Sequence, residues 1–588
     1  MSTSTTEAPP GLPVAAWRRL RQLAPKRSDW TSVRPRRDLP AGLMVGLVAL
    51  PLALGFGVSS GMGATAGLVT AVVAGALAAV FGGSRVQVSG PTGAMTVVLV
   101  PIIATHGASG VLFVGLLAGL ILVGLGWFGA GRFIRYVPVP VVEGFTLGIA
   151  AIIGLQQVPA ALGQHVEGEK VLGLASAAIV EWIHRPDAAP VVVAFGVVAG
   201  ILLLARLRPG VPWALVIVAV ATVANSTMRL DLEDIGTIPA GLPAPAFPGI
   251  EPAMLDSLIL PAVAVAALAA LESLLSATVA DGMSVGQRHD PDRELVGQGL
   301  ANLVAPLFGG IPATAAIART AVNVRSGAAS RLASVTHAVV LLVVVLVAAR
   351  WVAMIPVAAL AGVLIATAVQ MVRFSSLGAL LRSTRGDAVV LVITGLATVL
   401  TDLVVAVLIG LVVAGFFALQ QTSRSARLDQ VPLDEGDHVD EERALLDEHI
   451  VAYRIDGPLF FAAAHDFLLE LANVSDVRVV VLRMSRVTVI DATGATVLAD
   501  TVSRLEARGI TVLLSGVRTE HEQVLRQLGV HEQLAHERHL FATTPEAIGH
   551  ARLHAGRVAH DPAPEATEDT AETGPRGGGS SSVRHAAQ

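Results

Sequence analysis

The chain has 588 residues, of which 53% are hydrophobic and only 15% charged, whereas a typical soluble chain carries about 25% charge. Its formal net charge is −5 with no basic stripe or interleaved aromatics, so nothing points to nucleic acid as a partner. It has no cysteine, which excludes disulfides, thiol catalysis and Cys-ligated zinc or iron–sulfur sites.

Residues 1–37 lack the apolar core of a signal peptide and carry Arg18, Arg19, Arg21, Lys26, Arg27, Arg34, Arg36 and Arg37. They read as a cytoplasmic segment, and the span that follows is expected to act as its own insertion signal. The charge deficit lies in residues 38–421, where long apolar runs alternate with Gly and Pro. A helix needs about 20 apolar residues to cross about 30 Å of hydrocarbon. Spans are predicted near 39–58, 64–82, 91–105, 109–130, 139–160, 190–206, 210–226, 255–280, 292–309, 313–323, 329–350, 356–372, 385–400 and 402–420, which makes 14. The stretch 170–184 reads as an interfacial helix.

Arginine supports an even count. Cytoplasmic loops collect Lys and Arg. Alternate loops hold Arg85, Arg132 with Arg135, Arg206 with Arg208, Arg288, Arg325 with Arg331, Arg373 with Arg382 and Arg385, and Arg424 with Arg427. The opposite loops are partly acidic, with Glu167, Glu169, Asp231, Glu233, Asp234, Glu251 and Asp402; Lys170, Arg185, Arg229 and Arg350 are exceptions. A multi-pass protein of a bacterial-type inner membrane is expected, with both termini in the cytoplasm.

A charged linker is predicted at 422–448. Residues 449–547 return to soluble composition: strands are predicted at 449–454, 477–482 and 511–514, and helices at 493–508 and 519–528, a compact α/β unit. From 548 the chain becomes rich in Pro, Glu, Thr, Gly and Ser and reads as a disordered tail.

Two predicted spans are short and begin oddly. The third is approached through Ser84-Arg-Val-Gln-Val-Ser-Gly-Pro-Thr-Gly-Ala-Met-Thr96, and the tenth opens with Gly309-Gly-Ile-Pro-Ala-Thr-Ala-Ala-Ile-Ala-Arg319. Each has an extended, Gly-containing approach and a Pro near a helix start. Either these are ordinary kinks or both helix starts meet near the bilayer midplane. In the second case Gly90, Thr92, Gly93 and Ala94 face Thr314, Ala315 and Ala316. Two helix N-termini, each worth roughly half a positive charge, then form an anion site from backbone. The breaks occupy the third position of each seven-span half, and broken helices in equivalent places of two halves point to a transport site.

Glu272 lies within the apolar run Leu268-Ala-Ala-Leu-Glu-Ser-Leu-Leu-Ser-Ala-Thr278, with Ser276 one turn on along the same face. It reads either as a hydrogen-bonded structural acid or as a coupling site for a proton or sodium ion. Arg319, about two turns into the tenth span, either attracts the anion or marks the cytoplasmic end of a short helix. The group Asp281, Arg288, His289, Asp290, Asp292 and Arg293 reads as a cytoplasmic loop with a helix cap at Asp290. No metal ligand set, cofactor motif, P-loop or nucleophile elbow is found, so an enzyme or ATP-driven pump is not expected.

These residues resemble the SulP (sulfate permease) anion transporters. The first-span run Asp38-Leu-Pro-Ala-Gly-Leu-Met-Val-Gly-Leu-Val-Ala-Leu-Pro-Leu-Ala-Leu54 carries the likeness, as does Val88-Ser-Gly-Pro-Thr-Gly-Ala-Met95. So does the series Glu272-Ser-Leu-Leu, Ala280-Asp-Gly-Met283, Glu294-Leu, Gln298-Gly-Leu, Asn302 and Ala318-Arg-Thr320. Val489-Ile-Asp-Ala-Thr-Gly494 looks like part of a STAS domain. The resemblance implies a 7+7 inverted repeat in which a core domain of spans 1–4 and 8–11 moves against a gate domain of spans 5–7 and 12–14. It also implies a homodimer and a site between the third and tenth helix starts that Phe56 helps to line. Implied substrates are sulfate, bicarbonate, chloride or dicarboxylates. At the cation-coupling position, Glu272 stands where sodium-coupled bicarbonate members have Asp, and Ile317 where they have Thr, which favours a proton over sodium. A sodium-coupled bicarbonate symporter and an anion exchanger are the alternatives. Thr493 occupies a position that can be phosphorylated in related domains, so a regulator acting at the STAS unit is a possible partner; otherwise Thr493 caps its helix.

Two further readings remain. The spans of a membrane sensor would bind an anion and signal through the STAS unit without flux. A nucleobase transporter of the same implied fold would lack the STAS domain.

Overall fold

A computed structural model describes residues 14–30, 33–166, 170–208, 210–249, 254–283, 288–401, 403–424, 427–430, 445, 448–460, 477–534 and 539–558. It divides into two compact units at residues 415/416, and each is described by itself. Glu167, Glu169, Glu251, Asp402, most of the predicted linker and the chain beyond 558 lie outside the described residues.

The first unit is helical. In chain order it contains α1 Val14–Leu23, α2 Pro35–Ser59, α3 Ala64–Phe81, β1 Ser89–Gly90, α4 Gly93–Trp127, α5 Val139–Gln156, α6 Val158–Leu162, α7 Val171–His184, α8 Ala188–Leu207 and α9 Trp213–Met228. There follow α10 Leu255–Met283, α11 Pro291–Val304, β2 Thr314–Ala315, α12 Ile317–Arg325, α13 Arg331–Val352, α14 Val357–Met371, α15 Phe374–Arg382, α16 Arg385–Leu400 and α17 Leu403–Arg424, within which the 415/416 division falls. Among the described residues nine helices are long and apolar enough to cross a membrane.

Every predicted span falls on a helix, with three differences. The third and fourth fall on one element, α4, which breaks at Gly107, whose φ of 65° suits a residue without Cβ. The tenth starts late, because residues expected to be helical from 313 are held extended in β2. The amphipathic α15 is an addition to the predicted spans, since nine residues are too short for one. The interfacial helix expected at 170–184 is α7, of which only Ala175 and Ala178 are buried.

The helices pack in two groups, as the resemblance implies. One contains α2, α3, α4 and α10 to α13; the other is built around α5, α8, α9, α14 and α16. Small residues set the close approaches, since two apolar helices in lipid gain mainly from packing. A Cβ on Gly42 of α2 would strike the Ala333 carbonyl of α13, and one on Gly67 of α3 would strike the Ala53 carbonyl of α2. In the second group Gly144 and Gly148 of α5 meet Leu391 and Thr398 of α16 in the same way.

One end of the first group is tied by charge. Asp290 caps α11 as expected, accepting from the Arg293 N–H at 3.1 Å. Arg293 pairs with Asp29 at 2.7 Å, and Arg19 of α1 pairs with Asp292 at 2.9 Å. Arg331, expected in a loop, is instead the buried first residue of α13 and donates to the carbonyls of Ala79 and Gly82 at 2.9 and 2.7 Å.

The second unit holds a six-stranded sheet of β3 Arg427–Gln430, β4 Ile450–Leu459, β5 Val479–Arg483, β6 Val487–Ile490, β7 Thr511–Ser515 and β8 Leu540–Phe541. The order is β3-β4-β5-β7-β8, with β6 also pairing β4; β3 runs antiparallel and the other pairings are parallel. The helix Ala492–Ala507 covers one face, where Leu498, Val502 and Leu505 join Val480, Leu482 and Val512. The helix Thr544–Val558 covers the other through Ala547, Ala551 and Ala555. It runs past 547, so the C-terminal unit is longer than expected: three alanines on one face make an amphipathic helix from a composition that reads as a tail.

Candidate functional site: two helix starts on one strand pair

The two broken spans meet. β1 and β2 form a two-stranded antiparallel pair in which Ser89 stands opposite Ala315 and Gly90 opposite Thr314. The Ala316 N–H extends the pairing to the Val88 carbonyl at 3.0 Å. From this pair α4 departs at Gly93 and α12 at Ile317, so two helix N-termini flank one short ribbon. Thr92 caps α4, its hydroxyl accepting from the Met95 N–H at 3.4 Å, whereas Ala316 offers α12 no side-chain cap. The first-turn N–H groups of both helices lack intrahelical partners and carry partial positive charge.

Extended backbone at membrane depth must find partners within the protein. Asn302 of α11 grips Ala313 at both ends: its Nδ2 donates to the Ala313 carbonyl at 2.8 Å and its Oδ1 accepts from the Ala313 N–H at 2.7 Å. Gln298 donates to Ser89 Oγ at 2.7 Å, and Thr70 Oγ1 to the Ile311 carbonyl at 2.9 Å. Asn323 donates to the Val86 carbonyl at 2.7 Å, and Ser334 to that of Gln87 at 2.7 Å. Gln298 and Asn302 lay in the family-like motif without a role; their role is to hold the ribbon.

Helix α10 supplies the acid. Thr92 Oγ1 donates to Glu272 Oε2 at 2.9 Å, and the carboxylate also lies in the field of the Thr314 hydroxyl and the Arg319 guanidinium. The neighbouring Ser273, which helical periodicity does not single out, is buried; its Oγ lies 3.0 Å from Thr314 Oγ1 and accepts from the Ala315 N–H at 3.2 Å. Ser276, expected to accompany Glu272, donates instead to Thr320 Oγ1 at 3.2 Å. One helical turn carries it past the carboxylate to α12. A polar residue directly after the acid was the signal available for Ser273.

Arg319 lies in the first turn of α12, not two turns in, because β2 displaces the helix start to Ile317. It is 1% exposed, and its Nη2 donates to the Pro91 carbonyl at 2.6 Å. The alternative that it marks a cytoplasmic helix end fails: Arg325 stands in the last turn. Gly90, with φ 153°, passes so close that a Cβ would come within 2.7 Å of Arg319 Nη1. Phe56 of α2 is buried against the first residue of α4; a Cβ on Gly93 would meet its ring at 3.1 Å and strike Ile153 of α5. Ala94 is fully buried behind it. Phe56, Gly90, Thr92, Gly93, Thr314, Ala315, Ala316, Arg319 and Glu272 therefore fall around one ribbon, where the two helix groups meet. The assembly presents two positive helix ends, one buried guanidinium and one carboxylate, which suits reversible binding of a small anion.

Thr493 of the second unit is exposed, and Asp491 is the cap, accepting from the Gly494 N–H at 2.7 Å. The reading of Thr493 as the cap is thereby corrected.

Residues 36–394 match the model of the Sulfate permease family, and residues 444–547 that of the STAS domain. YvdB of Bacillus subtilis (strain 168), provisionally named a sulfate transporter, is 35% identical over 87% of this chain and 97% of its own length. The bicarbonate transporter BicA of Picosynechococcus sp. is 31% identical over 88% of this chain and 95% of its own. Among solved structures, the transmembrane domain of a cyanobacterial BicA superposes with a TM-score of 0.58 at 32% identity, covering 65% of this chain and 98% of that one. Murine Solute Carrier 26 family member A9 shares the fold, with a TM-score of 0.76 at 18% identity over 88% and 91% of the two chains. This chain belongs to the sulfate permease family and joins that family's membrane unit to a STAS domain.

Proposed function

We propose that the protein is a secondary active transporter of small inorganic or carboxylate anions, of the sulfate, bicarbonate or dicarboxylate class. The anion sits between the starts of α4 and α12 and moves by alternating access of the two helix groups, with a proton entering through Glu272. The observation that carries this reading is the antiparallel pairing of Ser89 and Gly90 with Ala315 and Thr314, which brings both helix N-termini to one place. Such ends read charge and size through backbone N–H groups. The transporter names of the relatives support the substrate class. In this reading the protein lies in a bacterial inner membrane with both termini cytoplasmic and works as a homodimer. The segment expected as a linker at 422–448, of which 422–424 belong to α17 and 427–430 form β3 of the C-terminal sheet, joins transport to a regulatory STAS unit.

Tracer flux tests the proposal. Purified protein in liposomes is given labelled sulfate, bicarbonate, a dicarboxylate or chloride in turn. Saturable uptake of at least one is expected, lost on replacing Ala315, which is fully buried, with Leu. Anion binding without flux would favour the sensor reading instead.

A further inference from the structure

We propose that His539, His550 and His554 form a binding site for one zinc-class divalent metal ion, which clamps the helix Thr544–Val558 to the end of the sheet. This departs from the expectation that the chain has no metal site. The three histidines are far from the membrane motifs in sequence, and His539 is separated from the other two by β8 and a turn.

One ring nitrogen from each of the three lies within 4.8 Å of the others. His550 and His554 stand four residues apart on the helix Thr544–Val558, a spacing that puts both on one face. Their Nε2 atoms are 3.2 Å apart. His539, only 2% exposed, comes from the residue before β8, and its ring lies 5.6 and 5.0 Å from those of His550 and His554, centroid to centroid. Tetrahedral zinc takes imidazole nitrogens at about 2.0–2.1 Å, so neighbouring ligand nitrogens stand about 3.3 Å apart. The His550–His554 pair is already at that spacing, and small side-chain rotations bring in His539. A divalent metal binds imidazole in its neutral form. Imidazole suits zinc, copper, nickel and cobalt, and among the described residues the set consists of imidazoles.

The place needs a clamp. β8 pairs through only two residues. The helix that follows seats on the sheet through Ala547, Ala551 and Ala555, side chains that allow close approach but bury little apolar area. A metal held by His539 at one end and by His550 and His554 at the other ties strand to helix.

The test uses full-length protein in detergent, with any affinity tag removed and metal stripped by a chelator. Co2+ is expected to give the visible ligand-field bands of a tetrahedral, nitrogen-rich site at one equivalent, and Zn2+ to displace it. His550→Asn and His554→Asn should each weaken Zn2+ binding by at least the roughly 10–100-fold that loss of a mere outer-shell partner costs, since each removes a direct ligand. Zn2+ should slow hydrogen exchange across 544–558 in the wild type and not in the variants. Absence of ligand-field bands in the wild type, or equal Zn2+ affinity in wild type and variants, would overturn the site. Should a variant misfold, the wild-type Co2+ spectrum and exchange decide alone.

Discussion

The hydroxyl of Thr92 donates to the carboxylate of Glu272 at 2.9 Å while accepting from the Met95 N–H. One side chain thus ties the start of α4 to the acid of α10. Thr92→Val keeps the shape and removes both bonds. The lost cap costs about 1 kcal/mol and the lost bond to a charged group about 1.5–3 kcal/mol. A folded protein with uptake reduced at least about tenfold is expected, since 1.4 kcal/mol is a factor of ten. Thr92→Ser should keep most activity. Wild-type tracer uptake by Thr92→Val would take the hydroxyl out of the site.

Gly90 and Arg319 test the ribbon. An alanine at Gly90 must adopt φ 153° and bring its Cβ within 2.7 Å of Arg319 Nη1, so the guanidinium has to leave the Pro91 carbonyl. Gly90→Ala should abolish uptake. Arg319→Lys should reduce it strongly, because an ammonium has no planar fork to reach the same carbonyl. Gly124→Ala is the control, for it lies within α4 with nothing within 4 Å of a new Cβ. Uptake by Gly90→Ala equal to that of Gly124→Ala would show that the close approach is dispensable.

The end of the first helix group carries a pH-dependent tie. Burial pushes the Asp29 carboxyl up, but hydrogen bonds from Arg293 and the Lys26 N–H, with the charges of Arg293 and Arg331, outweigh it and hold the group below the usual carboxylate range. A lowered folded pKa contributes stability that is fully present above the unfolded value of about 3.9 and is lost as pH falls through the folded value. The tie therefore holds across neutral pH and releases only in acid below about pH 4. Asp29→Asn should speed hydrogen exchange across 14–30 at pH 7 by about tenfold, equivalent to 1.4 kcal/mol. Unchanged exchange would mean that Asp29 does not hold this segment, whose ties then include Arg19 to Asp292 and to the Gly126 and Trp127 carbonyls.

Much of this arrangement was legible because it rests on exceptions to apolar pattern. A membrane helix has no reason to include Ser-Gly-Pro-Thr or a lone Glu unless something is built there, and these residues converge. Helix ends were less legible. Nothing within 313–316 announces that two residues pair with a strand over two hundred positions away, so Arg319 was placed a turn too deep. Ser276 was preferred to Ser273 by helical periodicity, yet contact with β2 depends on the crossing of α10, which periodicity does not encode. Asn302 and Gln298 stand in the series that resembles the family, but their purpose requires knowing where the extended backbone runs.

The last prediction concerns coupling at Glu272. The carboxylate lies beside two helix N-termini and in the field of Arg319, with Thr92 as its hydrogen-bond donor. While ionised it offsets that positive field and competes with an incoming anion. Under the proposed coupling, a proton that neutralised it would make the full field available to the substrate, so proton and anion would bind together. A proton entering with the anion also lowers the charge moved against an inside-negative potential, worth about 2.3 kcal/mol per charge per 100 mV. Glu272→Gln imitates the neutral form in shape and keeps an acceptor for Thr92. It should therefore bind the anion with affinity equal to or greater than wild type, while its uptake no longer responds to an imposed pH gradient. The measurement is tracer uptake into liposomes under an inward proton gradient, then under an inward sodium gradient at equal pH, for both proteins. Wild-type uptake driven by protons and lost in Glu272→Gln supports the assignment. Uptake driven by sodium and indifferent to protons would make Glu272 a sodium ligand and leave the anion site in place. A Glu272→Gln variant that still follows the pH gradient would move coupling to another residue.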